Sequence, residues 1–151
     1  MTAPHPSWPW ISSAVFYDDA GAAIDWLCKA FGFEVRLKIE GDAGRIEHSE
    51  LTFGGGLIMV ASKTDQSDPT ALNARSPQSL EGANTQALCV YVEDVDAHFR
   101  RAKAAGATVV REPTTDDYGD EHGAHRTYGV RDPEGHHWWF MRVARDPRVS
   151  E

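Results

Sequence analysis

The sequence predicts an α+β fold built from two copies of one unit, a strand followed by a helix and three more strands. Residues 29–36 and 103–111 share a helix end, a glycine and the start of an extended run, at an offset of 74 residues. Tyr17 and Tyr91, each at the end of a strand-like run, share that offset. Both halves also close with a strand, a glycine-containing turn and an apolar strand. A repeat of this length indicates an internal duplication.

The first half begins with residues 1–9, which contain three prolines and predict an irregular arm. The run 11–17 is strand-like, and Asp19 precedes a segment with apolar residues at helical spacing. A carboxylate caps a helix N-terminus and Gly32 ends the pattern, so this segment predicts a helix of about three turns. Three further strands are predicted at 33–39, 46–53 and 57–61.

The second half repeats this order. A strand is predicted over 86–92, Asp94 caps the next helix, and Gly106 ends it before a new extended run. The intervening segment is rich in Ser, Asp, Asn, Pro and Gln, which is typical of a linker or a binding loop. We therefore predict one domain, 1–151, made of a first module at 10–62, a linker at 63–85 and a second module at 86–145.

Composition excludes several classes of partner. The net charge of −8 and the absence of a Lys/Arg cluster argue against nucleic acid and against an anionic membrane surface. No apolar stretch is long enough to cross a bilayer, and the N-terminus does not have the pattern of a secretion signal. The two cysteines, Cys28 and Cys89, lie in apolar patterns and are expected to be buried thiols. These features predict a cytoplasmic protein.

The last hairpin is predicted over 131–140. Pro133 and Gly135 indicate a tight turn, and an aromatic run that favours a strand follows. Trp138 and Trp139 are adjacent, so they point to opposite faces of that strand. We expect one of them to pack under a helix and the other to face a ligand or another part of the protein.

Five short motifs accompany the duplicated unit, at 23–26, 30–33, 92–96, 104–107 and 132–136. Together these features resemble the vicinal oxygen chelate superfamily, which includes glyoxalase I, bleomycin-resistance proteins, fosfomycin-resistance enzymes and extradiol dioxygenases. The resemblance extends from about Trp10 to Arg142, and the run 116–120 is similar to glyoxalase-like or bleomycin-resistance-like proteins. It implies two βαβββ modules whose mixed sheets curl into a cup with a ligand cavity on its concave side, and a homodimer that shares ligand sites.

The resemblance also implies a divalent metal, held in the superfamily's enzymes by side chains from the opening and closing strands of each module. Among the matching positions only Gln86 is a good ligand. Trp139 stands where the enzymes have a carboxylate, and an indole cannot coordinate a metal. We therefore predict no metal site and no cofactor. The matching positions are Ser12, Met59 or Val60, Gln86 or Ala87, and Trp139.

A non-standard metal site is the alternative, because imidazole and carboxylate are suitable ligands. His48 and Glu50 share one face of a strand, whereas His136 and His137 point opposite ways. Such a site would make the chain a metal-dependent lyase, isomerase or dioxygenase, using Zn, Ni, Mn or Fe. Glu50 is a weak catalytic candidate as a buried carboxylate with a raised pKa, and a solvated side chain is the alternative. Surface or turn-stabilising roles are the default for the histidines.

Aromatic side chains carry the preferred functional hypothesis. Flat rings lining a concave site suit planar ligands, and ring faces attract cations. We predict a metal-independent protein that binds a small organic molecule, for example to sequester a drug or toxin. A structural or regulatory role with a filled cavity is a third possibility. The predicted ligand-binding residues are Trp10, Phe16, His48, Glu50, Tyr118, Arg126 and Trp139.

Two local patterns are excluded as ligand loops. Residues 54–56 are three consecutive glycines without the Lys-Ser/Thr ending and following helix of a phosphate-binding loop, and they predict a hairpin. Residues 116–121 are acidic but lack the ligand spacing of a calcium loop.

Overall fold

The protein, as a computed structural model, is described over residues 5–65 and 67–148, so residues 1–4 of the predicted arm lie outside the described residues. The chain divides into two compact units, Met1–Glu81 and Gly82–Glu151. Each unit holds one α-helix and one mixed sheet of four strands. The predicted α+β fold with two βαβββ modules is confirmed.

The first unit has the strand order β1-β4-β3-β2, with β1 parallel to β4 and the other pairs antiparallel. Helix α1 follows β1 and packs on one face of this sheet, which we call the helix face; the other is the distal face. Val15 and Tyr17 are at most 2% exposed and share the helix face with Val60. The elements are β1 (Ser13–Tyr17), α1 (Ala20–Phe31), β2 (Glu34–Glu40), β3 (Ile46–Phe53) and β4 (Gly56–Ser62).

Helix α1 begins and ends as its sequence predicts. The Asp19 carboxylate accepts a hydrogen bond from the Ala22 backbone N–H, which satisfies one of the free N–H groups of the first turn. Gly32 follows the last turn with a φ of 86°, a left-handed conformation that glycine adopts without strain. The buried stripe of α1 includes Leu27 and Phe31, both fully buried against the sheet.

The second unit has the equivalent order β5-β8-β7-β6, with β5 parallel to β8. Tyr128 and Phe140 lie on its helix face, where both contact the His98 ring of α2. The strand predicted from residue 108 extends to Asp117, so the first two residues of the acidic run belong to a strand. The elements are β5 (Leu88–Tyr91), α2 (Val95–Ala104), β6 (Thr108–Asp117), β7 (Ala124–Arg131) and β8 (His137–Arg145).

The turn before β8 fixes the two adjacent tryptophans on opposite faces. One Asp132 carboxylate oxygen accepts hydrogen bonds from the backbone N–H groups of Glu134 and His136, at 3.1 and 3.0 Å. The other accepts from the Trp138 indole N–H at 3.0 Å. Trp138 is fully buried on the helix face beside Phe140, so the expected tryptophan under a helix is Trp138. Trp139 lies on the distal face and is half-buried.

Tyr17 and Tyr91 do not occupy equivalent positions in the two sheets. Tyr17 is 1% exposed on the helix face, whereas Tyr91 is 57% exposed on the distal face. The helix caps Asp19 and Asp94 lie 75 residues apart, so the opening strands correspond at that offset and not at 74. A shift of one residue reverses the faces of a strand, and the correspondence of the two tyrosines was wrong.

The burial of the cysteines and the length of the helices test two further sequence predictions, buried thiols and the lack of a membrane-spanning segment. Cys28 is only half-buried and Cys89 is exposed, both as free thiols, so the expectation of two buried thiols is wrong. Cys89 pairs with Trp139 across the β5–β8 ladder and lies on the distal face. No helix in the described part of the chain is long and apolar enough to span a membrane.

Candidate functional site

The N-terminal arm encloses a cavity of about 450 Å³ in the first unit, which we call the arm pocket. Two indoles line it: Trp8 is 36% exposed and Trp10 is 57% exposed. The β3–β4 hairpin lines it with the three glycines 54–56, and at Gly54 and Gly55 no heavy atom lies within 4 Å of the place that a Cβ would occupy. A flat ligand would therefore meet indole rings and bare backbone in the same cavity.

Arg36 fixes the arm beside this pocket. Its guanidinium carbon lies 5.3 Å from the centroid of the Trp8 ring, which is within the range of a cation–π contact. Its Nη1 donates a hydrogen bond to the backbone oxygen of Ser7. The Nε and Nη2 groups reach the Glu50 carboxylate, with N–O distances of 2.9 and 2.8 Å. One arginine thus links the arm to a carboxylate on β3.

His48 and Glu50 share the distal face of β3, as predicted, with 3.0 Å between His48 Nε2 and Glu50 Oε2. Glu50 is only 9% exposed. The hydrogen bonds from His48 and Arg36 hold the pKa of Glu50 below its ordinary value. The expectation of a raised pKa was wrong, because the hydrogen bonds from His48 and Arg36 outweigh burial. A carboxylate held ionised in this way is a weak base for proton abstraction.

The distal face of the second sheet carries Trp139. Its six-membered ring lies over Gly129, where an added Cβ would come within 2.6 Å of the indole. The His137 ring is beside it, with 4.7 Å between ring centroids. Burial, and then the charge of Arg131, hold the pKa of His137 below its ordinary value, so this imidazole is neutral near pH 7.

The remaining predicted site residues are dispersed. Phe16 lies on the distal face of the first sheet, since its neighbours on β1 are buried on the helix face. Arg126 lies on the helix side of the second sheet, where its Nε and Nη2 donate to Asp96 of α2 at 2.7 and 2.6 Å. Tyr118 is 51% exposed and its ring packs edge-on against His125. Arg126 and Trp139 therefore face opposite sides of one sheet and cannot line one pocket.

The first two carboxylates of the acidic run 116–121 form ion pairs with arginines. Arg111 donates to both oxygens of Asp116 at 2.8 Å, and Arg145 pairs with Asp117 at 2.6 and 2.9 Å. The hydrogen bonds from Arg145 hold the pKa of Asp117 far below its ordinary value. These carboxylates fasten the ends of β6 and β8, in agreement with the exclusion of a calcium loop.

The residues at the superfamily's metal positions do not fit a divalent ion. Met59 and Trp139 are on the distal faces and Val60 is buried on a helix face, while Gln86 and Ala87 precede β5. Ser12 precedes β1. One amide and one hydroxyl group beside a thioether, an indole and aliphatic groups are not a ligand set for Zn²⁺ or a similar ion. Over residues 5–65 and 67–148, no three His, Cys, Asp or Glu side chains cluster in a way that would hold a metal.

Two residues that shape these surfaces escaped the sequence analysis. Arg36 lies where the pairing of β2 with β3 shifts between Val35 and Leu37, and a β-bulge of this kind cannot be located from alternation alone. Gly129 did leave a signal, since a glycine inside a strand often marks close approach by another group. That group is the Trp139 ring.

Comparison with known proteins gives consistent matches over most of the chain. The sequence model of the Glyoxalase/Bleomycin resistance protein/Dioxygenase superfamily matches residues 10–140. An uncharacterized protein of Mycobacterium tuberculosis is 34% identical over 143 residues, covering 95% of this chain and 79% of that protein. The crystal structure of TioX from Micromonospora sp. ML1 is similar with a TM-score of 0.66 and 34% identity, covering 88% of this chain and 97% of that one.

A longer enzyme also matches. The 4-hydroxyphenylpyruvate dioxygenase of Caenorhabditis briggsae is 33% identical over 120 residues, which is 76% of this chain but only 30% of that enzyme.

Proposed function

Because the chain belongs to the Glyoxalase/Bleomycin resistance protein/Dioxygenase superfamily, we propose that it is a metal-independent member that binds a small organic molecule. The arm pocket is the proposed site. The observation that carries the proposal is that Trp8 and Trp10 line one cavity of about 450 Å³ together with a hairpin of three glycines. Sequestration of a drug or toxin is the proposed role.

The chemistry of the pocket favours a flat and cationic ligand. Its volume is within the range of about 300–1,000 Å³ that small-molecule sites occupy. Indole faces attract planar rings and positive charge, and the chain has a net charge of −8. Arg36 adds little repulsion, since its charge is already paired with Glu50.

The donor chemistry supports a site without a metal. An ion of the type used by the superfamily's enzymes needs about three protein ligands, and among the matching positions only Gln86 is a good one. Glu50 and His48 supply two donors, but Glu50 already binds Arg36.

A second copy of the chain is the proposed protein partner. Strand β2 lies at the edge of the first sheet and exposes apolar side chains: Val35 is 46%, Leu37 40% and Ile39 47% exposed. An apolar edge strand of this kind is normally covered. We expect a homodimer by light scattering, and Leu37→Lys, which places a charge on that edge, is expected to shift it toward the monomer. A wild-type monomer at all concentrations would contradict this part of the proposal.

A cytoplasmic location is also proposed, because Cys28 and Cys89 do not form a disulfide with one another. Cell fractionation with a tagged full chain tests it.

Ligand binding is tested with ethidium, a flat cation, by fluorescence titration in the presence of EDTA. We expect binding that survives EDTA and weakens by about tenfold in Trp10→Ala, which removes an indole face from the pocket. Tyr91→Ala, which removes an exposed aromatic ring in the other unit, is the matched control and should bind like the wild type.

The same titration decides between the two function classes. Binding that disappears with EDTA and returns with added Zn²⁺, Ni²⁺, Mn²⁺ or Fe²⁺ would favour the metal-dependent lyase, isomerase or dioxygenase. Equal affinity in Trp10→Ala and the wild type would remove the arm pocket as the site.

A further inference from the structure

A second cavity in the first unit has the opposite chemistry to the arm pocket. It has a volume of about 530 Å³, and three cations line it with one carboxylate and two hydroxyl groups. This is a local excess of positive charge in a chain whose net charge is −8. We call it the cationic pocket; its residues are Arg45, Lys63, Thr64, Asp65, Arg75 and Ser79.

The segment predicted as a linker or binding loop builds one wall of this pocket. Thr64 Oγ1 accepts a hydrogen bond from the Ala74 backbone N–H at 3.0 Å, and the Thr64 N–H donates to the Ala74 oxygen at 3.2 Å. These bonds close the loop between the two residues. Ala74 is 9% exposed and Ser76 is fully buried, so the returning chain is anchored in the first unit. Arg75 lies between these two anchors, which places its charge at the pocket.

The cations of the pocket are only partly neutralised. In the part of the chain that the structure describes, Arg75 forms no ion pair, and its side chain is exposed. The Lys63 ammonium approaches the Asp18 carboxylate only to 3.9 Å. Arg45 pairs with Glu47 at 3.0 Å and donates from Nη1 to the backbone oxygen of Lys63 at 2.7 Å, which fixes the guanidinium beside Lys63.

The three cations of the pocket repel one another, and the carboxylates of Asp65 and Glu47 offset only part of this repulsion, so a bound anion would be stabilised there. We propose that the cationic pocket binds a doubly charged oxyanion group of the phosphate type, carried by a small organic molecule. The Arg75 guanidinium matches two oxygens of such a group, and Arg45 and Lys63 add positive charge. The hydroxyl groups take a lesser part, because Ser79 Oγ already donates to the Ser76 backbone oxygen at 2.8 Å.

The size of the cavity argues for an organic ester over a bare ion. At about 530 Å³ it is within the range of small-molecule sites and leaves room for an organic group beside the oxyanion. A nucleic acid needs a basic track along several phosphates, whereas these three cations lie around a single cavity.

The test is calorimetric titration of the full chain with phenyl phosphate and with inorganic phosphate, at an ionic strength held constant with sodium chloride. We expect phenyl phosphate to bind and Arg75→Ala to weaken its binding by about tenfold, as loss of a charge-assisted hydrogen bond implies. Arg100→Ala, an exposed arginine of α2, makes the same charge change elsewhere and should leave the affinity unchanged. Lys63→Gln is a second variant, expected to weaken binding if Arg75→Ala does not fold.

Each other outcome overturns the proposal. Heat no larger than that of the chloride control, or equal weakening in Arg75→Ala and Arg100→Ala, would show only nonspecific attraction to positive charge. Equal affinity for inorganic phosphate and phenyl phosphate would assign the free ion and overturn the organic part. Trp10→Ala should bind phenyl phosphate normally, so failure at the arm pocket and failure here are distinguishable.

Discussion

The distal faces of the two sheets differ although the sheets share one strand order. Leu51 faces Ile58 in the first sheet as Val130 faces Trp138 in the second. Glu50 precedes Leu51 on β3, and Gly129 precedes Val130 on β7, so these two residues occupy equivalent positions on the distal faces. The first module therefore places a charged group at a position that the second keeps empty.

Each choice has a physical consequence. The Glu50 carboxylate binds Arg36 and His48, and Arg36 in turn donates a hydrogen bond to the backbone of the arm. Gly129 lets the Trp139 ring lie directly on the strand. The first module thus holds the arm through the ion pair of Arg36 and Glu50. The second module instead packs the Trp139 ring on the bare backbone of Gly129. The same backbone can carry different binding surfaces because the distal face is not needed for the helix-side core.

The largest expected effect separates the two faces of β8. Trp138→Ala removes a fully buried ring and its bond to Asp132, and should cost near the upper end of about 3–5 kcal/mol in the free energy of unfolding. Trp139→Ala removes a half-buried ring and should cost much less. Urea denaturation of both variants measures the difference. Equal losses would mean that the distal face is also core.

The corresponding strands at the start of each module give the next comparison. Tyr17→Ala opens a cavity under α1 and should cost about 3 kcal/mol, whereas Tyr91→Ala, at 57% exposure, should change the free energy of unfolding by less than about 1 kcal/mol. Thermal unfolding of the pair checks this. Similar losses would support an offset of 74 residues and contradict the register described above.

Gly129→Ala tests the contact that distinguishes the second module. The new methyl group would lie about 2.6 Å from the Trp139 ring and displace it, which costs about 1–3 kcal/mol in a packed site. The double variant with Trp139→Ala should recover most of this loss, and a double-mutant cycle measures the coupling. Additive losses would mean that the ring does not rest on Gly129.

The smallest expected effect concerns the charged group of the first module. Because the pKa of Glu50 is lowered in the folded state, its stabilising contribution is present above its ordinary value of 4.5 and lost as the pH falls below it. Glu50→Gln should therefore unfold more easily than the wild type at pH 7, with a gap that narrows below about pH 4.5. Thermal unfolding across this range measures it, and Glu93→Gln, at an exposed position, controls for net charge. A difference in stability that grows below pH 4.5 would contradict the account, because it would mean that folding raises the pKa of Glu50.

Much of the fold follows from local patterns. Asp19, Gly32 and Asp94 mark helix ends through chemistry that acts within one turn, and the alternation of β3 marks its bounds at Ile46 and Phe53. The face assignments of the repeated strands did not follow. The glycine lies 13 residues after the helix cap in the first module and 12 in the second, so a repeat aligned at the glycines displaces the opening strand by one residue.

The site was less accessible from sequence than the fold. His48 and Glu50 were paired correctly by strand alternation, but the pKa direction of Glu50 depends on Arg36, which a β-bulge brings across from β2. Arg126 could not be assigned to a face until its pairing with Asp96 of α2 was known. Long-range partners of this kind leave no periodic signal.

The central claim is that an aromatic pocket, and not a metal, holds the ligand of this chain. The most direct measurement is the metal content of the full chain, purified without chelators and equilibrated with equimolar Zn²⁺, Ni²⁺, Mn²⁺ and Fe²⁺ before gel filtration, together with that of Glu50→Gln. The account predicts far less than one ion per chain in both proteins. About one ion per wild-type chain, lost in Glu50→Gln, would contradict it.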